Sequence, residues 1–237
     1  MEKANRNIAI VLLGGSGERF DPSTPKQFVR FDNVPLFLYP VLSLENSPLI
    51  EQILIVTKIG TIKIAESLLR EFGVKKVMGV IEGGDNRQES SRRGLEFLKE
   101  NGVNDDDIVL IQDGDRPNLT DYLIEESIDK AKEIGASIVA FPSTDSVFLA
   151  FKTKKKVDTY LDRNYLYRVQ TPQTFRFHLI YEAHQKLKGE SHTDDASLVK
   201  ECGFDVAIVK GSEENLKINT QEDGRKFLLI LERREGK

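Results

Sequence analysis

The feature that most limits the fold of this chain is an alternation. Short, nearly continuous apolar runs rich in β-branched residues are separated by stretches of helical periodicity. Ile8–Leu13, Ile53–Thr57, Val77–Ile81, Ile108–Ile111 and Ile138–Phe141 read as strands; Lys63–Phe72, Arg87–Lys99 and Asp121–Ile134 read as helices. In the last helix Leu123, Ile124, Ile128, Ala131 and Ile134 share one face, with Thr120 placed to cap its start and Gly135 its end. Strands without polar alternation are buried on both sides, so the pattern predicts a mostly parallel sheet flanked by helices, an α/β fold. Such sheets bind ligands beyond the carboxyl ends of their strands. The loops after Leu13, Ile81 and Ile111 then share one rim, and each carries a polar signature.

Midway the pattern changes. Ser146–Lys152 and Val157–Leu161 are extended runs joined by Thr153-Lys154-Lys155-Lys156, a hairpin with a charged tip. The arm spans about residues 142–163 and lies either on the core or against another subunit. A second series follows: Leu166–Val169, Phe177–Lys188, Asp194–Cys202, Val206–Lys210, Leu216–Ile218 and a last helix from Gln221 to about Arg233. With no repeat, low-complexity tract or linker, the 237 residues read as one domain, 1–237, plus the arm. The net charge of −4 argues against a dedicated nucleic-acid partner, whose affinity would rest on phosphate neutralisation. One cysteine, Cys202, excludes an intramolecular disulfide and a cysteine metal cluster, and reads as a small buried hydrophobe. No run approaches the ~18 apolar residues of a membrane span, and Met1–Asn7 is too polar for a signal peptide. The expectation is a cytoplasmic protein with no membrane partner.

The first rim loop is Gly14-Gly15-Ser16-Gly17-Glu18-Arg19, followed by Pro25-Lys26-Gln27. Glycines bring backbone N–H groups close to a bulky anion, and Arg19 and Lys26 add full charge. The spacing fits neither the Walker loop nor the dinucleotide fingerprint, which leaves a triphosphate site of another type or an ordinary turn with solvated basic residues. In Glu82-Gly83-Gly84-Asp85-Asn86-Arg87 the glycines admit a planar base, and Asp85 or Ser90 can bond its polar edge; the alternative is a turn with Asp85 as N-cap. In Asp113-Gly114-Asp115-Arg116-Pro117, Asp113 suits Mg²⁺ and Arg116 a phosphate; the alternative is a structural Asp–Arg pair. Thr171, before Pro172, is biased to extended geometry, with its hydroxyl able to face a ligand. Thr193-Asp194-Asp195 reads as an N-cap with acidic first-turn residues. Lys217, on the short run Leu216–Ile218, faces solvent or a polar cleft. His178, His184 and His192 lack metal-ligand spacing.

In order, Gly-Gly-x-Gly-x-Arg, Pro-Lys-Gln, Glu-Gly-Gly-Asp-x-Arg, Asp-x-x-Arg-Pro, Asp-Arg, Gln-Thr-Pro-Gln, Thr-Asp-x-Ala and Asn-x-Lys-Ile resemble the methylerythritol phosphate cytidylyltransferases. The ribitol-5-phosphate cytidylyltransferases of teichoic-acid synthesis share that branch. The resemblance covers residues 8 to about 224. It implies a Rossmann-like nucleotidyltransferase fold with a protruding β-hairpin arm, a homodimer exchanging those arms, and Mg²⁺-dependent transfer of CMP from CTP to a sugar-alcohol phosphate, releasing pyrophosphate. By position it assigns Gly14, Gly15, Gly17, Arg19 and Lys26 to the CTP phosphates, and Gly84, Asp85 and Ser90 to cytosine. Asp113 would bind the metal and face the acceptor. Arg116, Thr171, Thr193 and Lys217 would line the acceptor and reaction centre, with Arg19, Lys26 and Lys217 as the catalytic charges. Ser146 and Arg163 would reach the acceptor phosphate, Arg163 from the partner subunit.

Asp115 departs from the family's small residue at its position, and Leu13-Gly14-Gly15 is closer to the ribitol type. Asp162-Arg163-x-x-Leu166 and Thr193-Asp194-Asp195-Ala196 look more like the methylerythritol type, which is the preferred reading. Two alternatives stand beside it: a ribitol-5-phosphate cytidylyltransferase, and a nucleotide-binding protein of this fold without catalysis. For Asp113→Asn the expectation is lost activity with little loss of stability.

Overall fold

The computed structural model describes residues 5–14, 25–151, 153 and 156–234. Its elements run β1 (Asn7–Leu13), β2 (Arg30–Phe31), β3 (Val34–Pro35), α1 (Leu38–Asn46), β4 (Gln52–Thr57), α2 (Ile62–Glu71), β5 (Val77–Glu82), α3 (Arg87–Glu100), β6 (Ile108–Asp113) and α4 (Asp121–Ile134). There follow β7 (Ala136–Pro142), β8 (Val147–Ala150), β9 (Val157–Leu161), β10 (Tyr167–Arg176), α5 (Phe177–Lys186), α6 (Asp195–Glu201), β11 (Ala207–Lys210) and α7 (Gln221–Arg234).

A seven-stranded sheet in the order β11-β7-β10-β6-β1-β4-β5 forms the centre. Pairing is parallel except along β10, which runs antiparallel to β6 and β7. Alternation along β1 assigns each residue to a side. Ala9, Val11 and Leu13 pack with Leu38 and Val41 of α1 and with Ile124 and Ile128 of α4. Ile8, Ile10 and Leu12 pack with Leu95 and Leu98 of α3 and with Phe177 and Ile180 of α5. A fully buried aliphatic side chain of this size contributes about 1.5–3 kcal/mol, so the two-sided core carries the fold. A third cluster, Phe31, Leu36, Ile218 and Phe227, anchors α7 and the segment before it.

The helix signals of α4 act as expected: Thr120 Oγ1 accepts from the Leu123 amide at 3.3 Å, and Gly135 takes φ 105° at the other end. Ile134, on the last turn, is 46% exposed, whereas Ser127 is buried and its carbonyl accepts the Ser137 hydroxyl at 2.7 Å. Leu216–Ile218 is not a strand. Its backbone, with that of Asn215 before it, bonds the Asp115 carbonyl and the side chains of Lys26 and Arg116 instead of a sheet edge. The run at Leu166–Val169 is the beginning of the longer β10, whose register shifts between Val169 and Gln173 around Pro172, a residue with no N–H for the ladder. The arm is real: β8 and β9 pair with one another in a separate two-stranded sheet. Lys152, Lys154 and Lys155 at its tip lie outside the described residues. Cys202 is half-buried and packs against the second core cluster.

Candidate active site

The carboxyl ends of β1, β4, β5 and β6 open onto one cavity of about 650 Å³. Gly14 follows β1, Thr57 ends β4, Gly83 and Gly84 follow β5, and Asp113 ends β6; all line it. Lys26 enters from a short 3-10 turn that Gln27 ties to β1, donating Nε2 to the Gly14 carbonyl at 2.5 Å. Gly15, Gly17 and Arg19 lie outside the described residues.

The loop after β5 fastens itself. Ser90 Oγ donates to the Asn86 carbonyl at 2.8 Å and accepts the Gly84 amide at 3.0 Å. Asn86, not Asp85, caps α3, accepting the Glu89 amide at 2.8 Å. A Cβ at Gly83 would stand 2.8 Å from Ser90 Oγ, so the fastening requires glycine there. Asp85 is left exposed at the cavity wall, its amide on Glu89 Oε2 at 3.1 Å. After β6, the Gly114 amide returns to the Leu12 carbonyl at 2.9 Å, and a Cβ there would overlap Leu13.

Charge is concentrated at the cavity floor. Asp113 Oδ1 accepts from Arg87 Nε at 3.0 Å, Oδ2 accepts from Lys217 Nζ at 2.8 Å, and Arg116 Nε stands 3.6 Å from Oδ2. Burial alone would raise the Asp113 pKa, but Arg87, Lys217 and Arg116 outweigh it and hold the carboxyl well below the usual carboxylate range. Behind Arg87 lies a second carboxylate. Asp195 Oδ2 takes Arg87 Nη1 at 2.6 Å, and its Oδ1 pairs with His184 Nε2 at 3.0 Å. Gln173 Oε1 accepts the amides of Asp195 and Ala196 at 3.0 and 2.9 Å. Burial pushes Asp195 up, yet Arg87 and His184 bring it down to about 2. Arg87, opposed by burial but flanked by Asp195 and Asp113, is held above the ordinary guanidinium range.

Lys217 reaches the floor on an irregular segment pinned by one backbone bond and several side chains. The Ile218 amide donates to the Asp115 carbonyl at 2.9 Å, and Asn215 Nδ2 donates to the Thr171 carbonyl at 2.9 Å. Arg116 straddles the same segment, donating Nη1 to the Asn215 carbonyl at 2.9 Å and Nη2 to the Val169 carbonyl at 3.2 Å. This is why Leu216–Ile218 needs no strand partner. Arg116 thus serves as a strap beside Asp113, with burial lowering its pKa against the pull of Asp113 and Asp115. Thr171, read as facing a ligand, is 2% exposed, and its Oγ1 accepts the Asp113 amide at 3.2 Å.

Of the anticipated residues, Gly14, Lys26, Gly84, Asp85, Ser90, Asp113 and Lys217 line the cavity. Arg116 and Thr171 support it from beneath. Ser146, Arg163 and Thr193 are exposed and outside its lining. Thr193 Oγ1 donates to Asp194 Oδ2 at 3.3 Å, while Asp194 caps α6, accepting the Ser197 amide at 2.9 Å. Arg87, Asp195 and His184 went unassigned by sequence reasoning. Sequence carried no separate signal for Asp195, because an acid in the first turn after the Asp194 cap is already favoured by the helix dipole. His192 has a neighbourhood that its spacing did not reveal. Its ligand atom and those of Glu190 and Glu201 lie within 4.8 Å of one another, a set able to hold a metal ion, with Glu201 already on His192 Nε2 at 2.6 Å.

The sequence and the fold are shared with known proteins. Residues 7–233 match the family model for 2-C-methyl-D-erythritol 4-phosphate cytidylyltransferase. A 2-C-methyl-D-erythritol 4-phosphate cytidylyltransferase of Syntrophus aciditrophicus is 36% identical over 97% of this chain and 97% of its own length. A ribitol-5-phosphate cytidylyltransferase of Lacticaseibacillus paracasei is 34% identical over 96% and 98%. The crystal structure of 4-diphosphocytidyl-2C-methyl-D-erythritol synthase from Anaerococcus prevotii superposes with a TM-score of 0.81 at 26% identity, covering 96% of each chain. The chain belongs to the 2-C-methyl-D-erythritol 4-phosphate cytidylyltransferase family.

Proposed function

We propose that this enzyme transfers CMP from CTP to 2-C-methyl-D-erythritol 4-phosphate in the cytoplasm, releasing pyrophosphate. The observation that carries the reading is the floor: Arg87 and Lys217 on Asp113, with Lys26 on neighbouring Asp115, at the carboxyl ends of parallel strands. An acceptor phosphate oxygen attacks the α-phosphorus, the bond to the bridging oxygen breaks, and pyrophosphate leaves in line. No covalent enzyme intermediate is needed, so catalysis is positioning and charge neutralisation. Gly14, Gly15, Gly17 and Arg19 cradle the triphosphate, while Gly84, Asp85 and Ser90 bound the cytosine subsite. Lys217, whose side chain is 33% exposed over the cavity, takes the charge developing at the reacting phosphate, and Lys26 anchors the same side. Thr171 and Arg116 hold Asp113 and the Lys217 segment in place.

The floor also suits Mg²⁺. Asp113 Oδ2 is a hard oxygen donor at the cavity wall, held there by Lys217, a cation able to move to phosphate when a metal takes its place. Asp113 would hold the ion, which when bound neutralises triphosphate charge. Ser146, Arg163 and Thr193 belong to the acceptor side. In this reading Arg163 is delivered by a partner subunit through exchanged arms. The support is the arm itself, whose Phe148, Leu149, Tyr160 and Tyr165 stand exposed around an isolated hairpin, an arrangement marginal on its own in water.

The ribitol-5-phosphate relative keeps a second acceptor in view, since its identity is within two points of the methylerythritol one. The test is pyrophosphate release from CTP and Mg²⁺ with each acceptor phosphate. We expect release with 2-C-methyl-D-erythritol 4-phosphate at least tenfold faster than with ribitol 5-phosphate. Faster release with ribitol 5-phosphate transfers the assignment to that acceptor, and no release with either leaves a nucleotide-binding protein.

A further inference from the structure

Lys26 and Lys217 are held differently, and one side chain accounts for the difference. Lys26 is 5% exposed, and its Nζ meets Asp115 Oδ2 at 2.6 Å, the Ile218 carbonyl at 2.6 Å and Asn219 Oδ1 at 3.0 Å. An ammonium has three N–H donors, so all three are engaged. Two of these acceptors are neutral; Asp115 supplies the charge without which a buried ammonium is strongly destabilising. Lys217 has a firm bond to Asp113 at 2.8 Å but stands 3.6 Å from Asp115 Oδ1. That oxygen is buried without a hydrogen-bond donor, and Asp115 itself lines the cavity at 6% exposure. One carboxylate therefore fastens Lys26 through Oδ2 and draws Lys217 toward the cavity floor through Oδ1 without closing a bond.

We propose that Asp115 is a positioning residue for both lysines: it fixes Lys26 and, closing no bond to Lys217, leaves that lysine held by Asp113 alone and able to exchange it for phosphate. Its charge also faces the phosphate subsite, so it lowers affinity for polyphosphate and favours release of pyrophosphate. The catalytic part rests on the cytidyl-transfer reading above; the effect on anion affinity does not. The other charged groups around this floor are Asp113, Arg87, Arg116 and, behind Arg87, Asp195, and none of them bonds Lys26. Asp115 alone among the described residues joins the two lysines.

The experiment compares wild type with Asp115→Asn, which keeps the shape and removes the charge. Calorimetric titration with inorganic pyrophosphate, without divalent metal, should show at least fivefold tighter binding by the variant. Turnover of CTP should fall at least tenfold while KM for CTP falls or stays within twofold. Weaker pyrophosphate binding with a raised KM would reduce Asp115 to a structural residue and overturn the proposal. So would a tenfold rise in the Mg²⁺ concentration for half-maximal rate, which marks a metal ligand. If Asp115→Asn does not fold, Asp115→Glu decides: it keeps the charge but displaces Lys26. Pyrophosphate affinity should then stay within twofold while turnover falls at least fivefold, and unchanged turnover contradicts the proposal. A wild type inactive on CTP with every acceptor would sink the cytidyl-transfer reading, while the pyrophosphate titration would still judge the clamp.

Discussion

At the cavity floor, Asp113, Asp115 and Asp195 are each within 3.0 Å of a cationic or imidazole nitrogen, all supplied by this one chain. Some distance along the sequence, the hairpin arm shows the reverse condition. Phe148 and Tyr160 meet edge to face at 5.8 Å, yet Tyr160 is 69% exposed and Tyr165 82%. The floor is electrostatically closed within the protomer; the arm is an apolar surface that its own protomer does not cover. The contrast teaches that binding charge and completing a subsite are separate problems here. Rigid sheet ends solve the first, and in the proposed reading a neighbouring subunit serves the second.

The largest effect should come from breaking the floor. Asp113→Asn should cut turnover at least a hundredfold, measured as pyrophosphate release. It should also lower stability by about 3 kcal/mol in urea unfolding, because Arg87 and Lys217 lose their shared carboxylate in a buried setting. That second part departs from the expectation of little stability loss, which rested on the amide keeping the carboxylate's shape, because Asp113 holds two cations in a buried setting. A variant as stable as wild type would mean that the three cations do not depend on Asp113.

A smaller effect sharpens the same region by pH. Asp195 titrates at about 2 in the folded protein, against ~3.9 for an unperturbed aspartate. Between these values the unfolded chain binds the proton and the native one does not. The contribution is therefore complete above about pH 4 and is lost as the pH falls toward 2, with a size of roughly 2–3 kcal/mol. Unfolding midpoints of wild type and Asp195→Asn should converge across that window. Parallel curves would remove Asp195 from the acid response.

Much of this architecture is legible in the chain. β1, β4, β6 and β7 announce themselves because both of their faces are largely buried, and half-buried β5 at the sheet edge still packs apolar residues on both sides, leaving unbroken apolar runs. α1 is not legible by periodicity, since it spans nine residues and carries Pro40 in its first turn. The segment bearing Lys217 imitates a strand through Leu216 and Ile218, but Ile218 is buried against Phe227 and its backbone is claimed by Asp115 and Lys26. Contacts of that kind join residues far apart in sequence and leave no local pattern. The same holds for Arg87, whose value comes from Asp195, a residue that a local N-cap explanation had already absorbed. Thr171 failed in the opposite way: its extended geometry was readable, but the object its hydroxyl faces, the Asp113 amide, was not.

The comparison between floor and arm is tested most directly by subunit mixing. Lys26→Ala removes a floor cation and keeps the arm; Arg163→Ala keeps the floor and alters the arm. If the arm completes the neighbour's site, a mixed dimer holds one site with Lys26 from one subunit and Arg163 from the other. Statistical exchange would then restore about a quarter of wild-type pyrophosphate release, from half the dimers with one working site each. Activity no higher than the two parents after verified exchange, or full activity from a monomer, would contradict the account.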